Sequence, residues 1–315
     1  MKLSLIVPCY NEAENVANFQ QAVIHAFEGC GYSYEIVFVD DGSKDATLHN
    51  LKKLHAKQQC PITVVSFARN FGKEAGLYAG LQHAKGEYIC LIDADLQQRP
   101  EIVREMVTIL DSEPDTDVVA AYQDRRRESK VLSFFKRCFY GIINKLSTVK
   151  LQPDASDFRT FRRSVAESML QLNEYHRFSK GIFAWVGYNT HFIPYIPCER
   201  AAGTTKWSFR KLLNYAIEGI VGFSTTPLRL SIYLGGFTAI AAVVYLIIVI
   251  LQKLIFGIDV PGYATIITLI LLLGSMQLFC IGIIGEYVGK TFEQSKNRPI
   301  YLAKEILPAP SDKTE

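Results

Sequence analysis

The fold is decided by the stretch Glu87-Tyr88-Ile89-Cys90-Leu91-Ile92-Asp93-Ala94-Asp95-Leu96-Gln97. It begins as an apolar run with the length and bulk of a buried strand. It ends in two carboxylates one residue apart, with the amide of Gln97 two residues further on. Ligands of parallel α/β sheets collect outside the carboxyl ends of the strands, and such oxygens suit a hard divalent cation that bridges a diphosphate. The pattern therefore predicts a metal site; the alternative is that Asp95 only caps the helix that Pro100 helps to start.

Strands and helices alternate through the rest of the first two hundred residues. Strands are predicted over residues 2–10, 34–39, 62–67, 117–122 and 190–198. The first helix presents an apolar face, and Asn11 with Glu14 has the spacing of a capping box before it. This alternation predicts a doubly wound, parallel α/β sheet.

Polar clusters follow the predicted strands. Asp40-Asp41-Gly42-Ser43 follows the second strand and Arg69-Asn70-Phe71-Gly72-Lys73 follows the third. Each could be only a turn and a helix cap. Alternatively, the acidic cluster could bind the ribose or base edge of a nucleotide and the basic cluster its diphosphate. No Gly-x-Gly-x-x-Gly follows the first strand and no P-loop occurs in the sequence, which excludes the usual dinucleotide and P-loop classes.

The C-terminal third is apolar. No charged residue occurs over residues 230–252 or 260–285, windows of about 23 and 26 residues. Each is long enough for a transmembrane helix, and a buried hairpin of a soluble protein is the alternative. Basic residues flank the pair on both outer sides, whereas the connecting loop offers only Lys253 and Asp259. The positive-inside rule then places both chain ends in the cytoplasm, and seven scattered cysteines without a Cys-x-x-Cys suit such a reducing compartment.

The net charge is only +3, but residues 125–150 carry eight basic side chains against the single acid Glu128. This concentration indicates a local site for phosphate or anionic lipid. Within it, residues 131–147 predict a basic amphipathic helix that lies in a membrane interface or, alternatively, packs on the sheet. A second amphipathic helix is predicted over residues 208–227, before the first apolar window.

Four motifs occur in order: Pro8-x-Tyr10-Asn11-Glu12, Val39-Asp40-Asp41-Gly42-Ser43-x-Asp45, Arg69-Asn70-x-Gly72 and Asp93-Ala94-Asp95-Leu96-Gln97. Together with the apolar pair they resemble glycosyltransferase family 2, and within it the polyprenyl-phosphate glycosyltransferases. The resemblance implies a GT-A catalytic domain over residues 1–207 and a juxtamembrane helix over 208–227. Two transmembrane helices over 228–289 and a cytoplasmic tail over 290–315 complete the implied arrangement.

The resemblance also implies site residues. The nucleotide sugar would be lined by Pro8, Tyr10, Asn11, Glu12, Asp40, Asp41, Arg69, Lys73, Asp93 and Ala94. Asp93, Asp95 and Gln97 would hold Mg²⁺ or Mn²⁺. The acceptor phosphate would be bound by Arg125, Arg137, Arg200 and Lys206, the last two from a segment that resembles the family's Arg-x-x-Gly-x-Ser/Thr-Lys motif. The catalytic set would be Asp157, Asp95, Arg200 and Lys206.

The expected reaction is inverting transfer of a hexose from a nucleotide sugar to a polyprenyl phosphate at the cytoplasmic membrane face. A phosphate monoester is mostly dianionic at neutral pH, so Asp157 is expected to orient the acceptor or to take a residual proton. Overall likeness to bactoprenol glucosyltransferases favours UDP-glucose; UDP-N-acetylglucosamine, UDP-galactose and GDP-mannose stay open.

A catalytically silent scaffold for a flippase is the alternative from another class. A processive polysaccharide synthase is disfavoured because the sequence has no Gln-x-x-Arg-Trp. The resemblance also implies a homo-oligomer, such as a tetramer.

Overall fold

The structure, a computed structural model, describes residues 1–123, 155–198, 220–256 and 262–310, with the isolated positions 141, 144, 149 and 152. One mixed sheet of eight strands organises this part of the chain. The strands are β1 Leu3–Cys9, β2 Tyr34–Asp40, β3 Ile62–Phe67, β4 Tyr88–Leu91, β5 Val118–Gln123, β6 Ala155–Arg162, β7 Thr190–Tyr195 and β8 Ala303–Leu307. The helices are α1 Val16–Phe27, α2 Thr47–Lys57, α3 Lys73–His83, α4 Pro100–Ser112, α5 Arg163–Leu170, α6 Ser179–Val186, α7 Thr226–Phe256 and α8 Tyr263–Ser295.

The strand order is β7-β5-β6-β4-β1-β2-β3-β8. The central strands β4, β1, β2 and β3 are parallel, whereas β6 and β8 run antiparallel to their neighbours. Because β1 to β4 are parallel, their carboxyl ends meet at one edge of the sheet. The polar clusters that follow these strands are therefore brought together, as the sequence predicts.

Both faces of the sheet are covered. Alternate residues of a strand point to opposite faces: Leu5 packs with α1, α2 and α4, while its neighbour Ile6 packs with α3, α5 and α6. The central strands are buried on both faces, which explains why their sequences read as continuous apolar runs.

The five strands predicted outside the opening stretch are confirmed with small shifts at their ends, and the opening stretch forms β4. Two strands were not predicted. β6 carries Asp157 between β4 and β5, and its composition, Ala155-Ser156-Asp157-Phe158-Arg159, is polar for a strand. The capping-box prediction is wrong: α1 begins at Val16, and the Oδ1 atom of Asn11 accepts a hydrogen bond from the backbone N–H of Lys44 at 2.9 Å.

Helices α7 and α8 are the two apolar windows. Each contains a segment long and apolar enough to cross a membrane, and none of the most apolar window of either is buried. Large apolar side chains such as Ile232, Phe237 and Leu278 are about 70% exposed. Contiguous exposed apolar surface of this extent indicates a lipid environment, which disfavours the buried hairpin of a soluble protein.

The chain after the hairpin returns to the catalytic domain. Tyr301 stacks on Phe67 with ring centroids 4.7 Å apart, and its hydroxyl donates to Gln82 at 2.7 Å. Residues 303–307 then pair with β3 as its antiparallel neighbour. The segment assigned from the sequence to a tail over 290–315 thus contains an edge strand of the sheet. The helix predicted over 131–147, apart from positions 141 and 144, and that predicted over 208–227, up to residue 219, lie outside the described residues.

Candidate active site

The carboxyl ends of β1 to β4 form a polar edge. Cys9 pairs with Asp40, and Asp40 pairs with Ser66, so the segments after these strands start side by side. The segment after β4 carries Asp93 to the same edge, because β4 is parallel to β1. This edge is where a ligand of such a sheet binds.

Lys73 links two carboxylates at this edge. Its Nζ atom lies 2.7 Å from Oδ1 of Asp93 and 3.4 Å from Oδ2 of Asp157. Lys73 is the first residue of α3, Asp93 follows β4 and Asp157 lies in β6, so three separate elements contribute. The side chains of Asp93 and Asp157 are 35% and 28% exposed, which leaves both within reach of a ligand.

The charges of this cluster fix its protonation. Burial alone would lower the pKa of Lys73, but the two carboxylates outweigh it and hold that pKa above its ordinary value. Burial alone would raise the pKa of Asp157, but Lys73, Lys180 and Arg159 outweigh it and hold that pKa below its ordinary value. Asp157 is therefore an ionised carboxylate at neutral pH, suited to orient a partner and weak as a general base.

Gln98 holds Asp93 in place. Its Oε1 atom accepts the backbone N–H of Asp93 at 2.9 Å, and its Nε2 atom donates to Oδ2 of Asp93 at 3.4 Å. Nε2 also reaches Oγ of Ser156 at 3.5 Å, which ties the segment after β4 to β6. Gln98 is 6% exposed, so this support is internal.

Asp95 does not cap the following helix. α4 begins at Pro100 with Arg99 as its N-cap and without a side-chain cap. Oδ1 of Asp95 accepts the backbone N–H of Gln97 at 3.1 Å, across Leu96 with a φ of 60°. This tight turn joins Asp95 to Gln97, and the cap alternative raised by the sequence is wrong.

The residues Asp93, Asp95 and Gln97 suit a magnesium or manganese ion. They offer two carboxylates and one amide oxygen, the hard ligands of such ions. Among the described residues no group of three or more His, Cys, Asp or Glu side chains is suitably placed to hold a metal. A Mg²⁺ ion bound through one or two carboxylates takes water and substrate phosphate as its remaining ligands. Metal binding at these residues remains a proposal.

Asp41 holds the loop after β3. Its Oδ1 and Oδ2 atoms accept the backbone N–H groups of Phe71 and Gly72 at 2.6 and 2.9 Å. Burial raises the pKa of Asp41 against these two hydrogen bonds. Asp40 is also buried, and accepts the Ser66 hydroxyl at 2.9 Å. Both carboxylates therefore hold the segments that follow β2 and β3 in place at this edge of the sheet.

Gly42 allows the loops after β2 and β3 to approach. It has a φ of +64°, and a Cβ atom there would lie 2.5 Å from the backbone carbon of Arg69. Backbone atoms cannot move aside as the end of a flexible side chain can, so this turn requires glycine.

Gly42→Ala is expected to lower both stability and nucleotide affinity, because the Arg69–Gly72 loop must shift. We expect a loss of about 2–4 kcal/mol in the free energy of unfolding, the range of strain plus overpacking. Gly29→Ala is a matched control: Gly29 has a φ of +68° with nothing near the added Cβ. Thermal melts with and without UDP measure both effects. Equal losses of stability in Gly42→Ala and Gly29→Ala would contradict a clash between the added Cβ atom and the backbone of Arg69.

The loop after β1 packs on the loop after β2. The Asn11 N–H donates to Oγ of Ser43 at 2.9 Å, and the Glu12 N–H donates to Oγ1 of Thr47 at 2.8 Å. Pro8 and Tyr10 are partly exposed beside them, whereas Ala94 is buried. The exposed Arg69 places its guanidinium carbon 4.4 Å from the centre of the Phe71 ring, at the rim of the same edge.

Glu74 connects α3 to the start of α6. Its two carboxylate oxygens each lie 3.1 Å from the backbone nitrogen of Ser179, and the Ser179 hydroxyl also donates to it. Burial and the nearby charge of Asp157 raise the pKa of Glu74 to about 7, against the hydrogen bonds from Ser179 and the charge of Lys73. The charge of Lys180, the next residue of α6, helps to lower the pKa of Asp157.

The raised pKa of Glu74 predicts a pH-dependent stability. An acid whose folded pKa is about 7, against an ordinary 4.5, stabilises the fold below pH 4.5 and loses that contribution as pH rises through 7. Glu74→Gln stays neutral, so its melting midpoint should rise relative to the wild type by more at pH 8 than at pH 5. Thermal melts at both pH values check this, and a difference that does not change with pH would contradict it.

Four sequence-predicted residues, Arg125, Arg137, Arg200 and Lys206, lie outside the described residues. The structure brings Lys73, Asp93 and Asp157 together. Sequence reasoning missed Gln98, Glu74 and Lys180, because each acts through a contact between distant elements. The one available signal was that Gln98 and Glu74 adjoin Gln97 and Lys73, which the sequence analysis singles out, whereas no such signal pointed to Lys180.

Comparison with known proteins identifies the family. Residues 4–170 match the family described as glycosyl transferase family 2, and residues 226–291 match the one described as the GtrB C-terminal hairpin. The chain belongs to glycosyltransferase family 2. It is a glycosyltransferase, and the prediction of a GT-A-like domain followed by a two-helix hairpin is confirmed.

Relatives of this glycosyltransferase match it over almost the whole length of both chains. The bactoprenol glucosyl transferase of Shigella phage SfV is 41% identical over 305 residues, 96% of this chain and 98% of the relative. A prophage bactoprenol glucosyl transferase homolog of Escherichia coli K12 is 41% identical over 307 residues, 97% of this chain and 99% of the relative. Among solved structures, the glucosyl-3-phosphoglycerate synthase of Mycobacterium tuberculosis with Mn²⁺, UDP-glucose and glycerol 3-phosphate is 18% identical, covers 70% of this chain and 78% of that one, and has a TM-score of 0.45.

Proposed function

We propose that this glycosyltransferase transfers glucose from UDP-glucose to a polyprenyl phosphate, with inversion, at the cytoplasmic face of a membrane. The observation that carries the proposal is the Lys73–Asp93–Asp157 cluster at the sheet edge of a chain that continues into two exposed apolar helices. A donor site of this kind joined to a membrane hairpin suits a lipid acceptor. The two bactoprenol glucosyl transferase relatives, matched over nearly the whole chain, support the same acceptor and sugar.

The side chains support a single displacement. The acceptor phosphate is mostly dianionic at neutral pH, so it attacks the anomeric carbon without first losing a proton to a strong base. Attack opposite the departing diphosphate inverts the configuration at that carbon. A retaining double displacement requires a nucleophilic carboxylate, and Asp157 is instead held by Lys73.

Each group then has a role. Asp93, Asp95 and Gln97 would hold Mg²⁺ or Mn²⁺, which when bound neutralises charge on the diphosphate. Lys73 supplies a positive charge beside the same carboxylates. Asp157 orients the acceptor through the cation that it holds, Lys73, while Arg200 and Lys206 with Arg125 and Arg137 bind its phosphate. The loops from Tyr10, Asp41 and Arg69 bind the nucleotide.

The membrane arrangement follows from the charge pattern. Basic residues on both outer sides of the hairpin support a cytoplasmic position for both chain ends, and with them for the catalytic domain. The amphipathic segments over 131–147 and 208–227 would hold the site at the bilayer. The homo-oligomer implied by the family likeness stays a prediction.

A donor panel tests the proposal. Membranes that contain the enzyme and polyprenyl phosphate are incubated with labelled UDP-glucose, UDP-N-acetylglucosamine, UDP-galactose or GDP-mannose. We expect a chloroform-soluble labelled lipid from UDP-glucose, released by mild acid as a glycosyl phosphate is. A labelled lipid from a different donor alone would overturn the sugar assignment, and binding of UDP without any labelled lipid would favour the scaffold.

A further inference from the structure

The second membrane helix reaches into the catalytic domain. α8 has 33 residues and is therefore about 50 Å long, whereas the hydrocarbon core of a bilayer is about 30 Å thick. Charged residues begin at Glu286 within α8. The last turns of α8 thus project from the membrane as a rigid extension.

This extension holds one loop of the catalytic domain. Glu293 pairs with His176, and Oε1 of Gln294 accepts the backbone N–H of Tyr175 at 2.8 Å. Nε2 of Gln294 donates to the backbone oxygen of Asn173, also at 2.8 Å. One glutamine therefore satisfies a donor and an acceptor of the loop between α5 and α6, which fixes its backbone.

The loop leads directly into α6. Arg177 is 8% exposed; its guanidinium donates to the carbonyl of Met169 at 3.2 Å and lies 4.7 Å from the ring centre of Tyr78 in α3. Two residues later, Ser179 is held by Glu74 through its N–H and its hydroxyl. A displacement of the loop would therefore reach both α3 and α6.

Glu74 and Ser179 each adjoin a residue of the site. Lys73 precedes Glu74 and bridges Asp93 and Asp157. Lys180 follows Ser179, and its charge helps to lower the pKa of Asp157. Hydrogen bonds, ion pairs and short steps along the chain thus connect the end of the membrane helix with the carboxylate expected to orient the acceptor.

We propose that Glu293 and Gln294 are positioning residues for glycosyl transfer: through the loop at residues 173–176, Ser179 and Glu74, they set Lys73 and Lys180 around Asp157. Helix α8 would then do more than anchor the chain: it would also set the position of the active site relative to the lipid surface. This inference rests on the transfer to lipid phosphate proposed above.

A double-mutant cycle in the full-length enzyme, reconstituted in bilayers with polyprenyl phosphate, tests the path. Gln294→Ala is expected to lower kcat about tenfold, since small misplacements far from the chemistry have effects of this size or larger. The KM for UDP-glucose and the melting midpoint should change little. Ser179→Ala should also lower kcat, and the double variant should be no slower than the slower single variant, because both act on one path.

Glu305→Gln is the matched control. Glu305 lies in the edge strand β8 and pairs with Lys52 of α2, and its side chain is partly exposed, as that of Glu293 is. The Glu305→Gln variant weakens a contact between the catalytic domain and the chain that follows the hairpin. It leaves residues 173–180 unchanged, so kcat should stay at the wild-type value.

Three results would overturn the inference: wild-type kcat in Gln294→Ala, multiplicative effects in the double variant, or an equal loss in Glu305→Gln. Failure of the wild-type enzyme to label lipid would instead overturn the proposed function. The same variants would then be compared by hydrolysis of UDP-glucose, where the same pattern is expected if the path positions Asp157.

Discussion

Asp95→Ala is expected to abolish glycosyl transfer while the protein stays folded and membrane-bound. Asp95 offers a carboxylate beside Asp93 at the end of β4 and caps no helix, so the change removes a proposed metal ligand together with the hydrogen bond from the Gln97 N–H. A bound divalent ion stabilises charge on a departing diphosphate by several kcal/mol, which corresponds to about a thousandfold in rate. Labelled-lipid formation measures the loss.

The control for Asp95→Ala is Glu101→Ala, an exposed carboxylate in the first turn of α4. Its transfer rate should equal that of the wild type. Binding of Mn²⁺ in the presence of UDP, followed by electron paramagnetic resonance, gives a second readout and should be lost only in Asp95→Ala. Wild-type turnover in Asp95→Ala would reject the assignment of Asp95 as a metal ligand.

Lys73→Met is expected to lower kcat about a hundredfold, the effect typical of removing one preorganised group that stabilises transition-state charge. Without the ammonium group, the carboxylates of Asp93 and Asp157 lose the cation that lies within 2.7 and 3.4 Å of them. They then repel each other and the incoming phosphate. Single-turnover transfer with saturating donor separates this effect from weaker binding.

Lys53→Met, on the exposed face of α2, is the comparison for Lys73→Met and should leave kcat unchanged. Lys73→Arg keeps the charge but spreads it over a planar fork, so its kcat should fall between the wild type and Lys73→Met. A hundredfold loss in Lys73→Arg as well would show that shape, not charge, is what matters at this position.

The central sheet could be predicted because its residues obey a local rule. Strands β1 to β4 are apolar runs closed by polar clusters, and parallel pairing then places those clusters at one edge. The metal-ligand candidates Asp93 and Asp95 follow from the same rule. The two apolar helices could also be predicted from the sequence, because long uncharged windows are rare in soluble domains.

The remaining features depend on contacts between residues distant in sequence. β6 contains Ser156, Asp157 and Arg159, and it is a strand because β4 and β5 pair with both of its edges. Lys73 is predicted from the sequence to line the nucleotide sugar, and only the structure shows that it also pairs with Asp93 and Asp157. Asn11 matched a capping box by spacing, yet a neighbouring loop uses its side chain. In each case the outcome depends on tertiary pairing, which a local pattern does not show.

The strand β8 has a consequence for biosynthesis. Val64 pairs with Leu307, and the whole hairpin lies between these two residues in sequence. The exposed edge of β3 can therefore be covered only after both membrane helices have left the ribosome. The last step in assembling the catalytic domain thus follows synthesis of its anchor, and a nascent chain halted within the hairpin presents an open sheet edge to the cell's quality-control machinery.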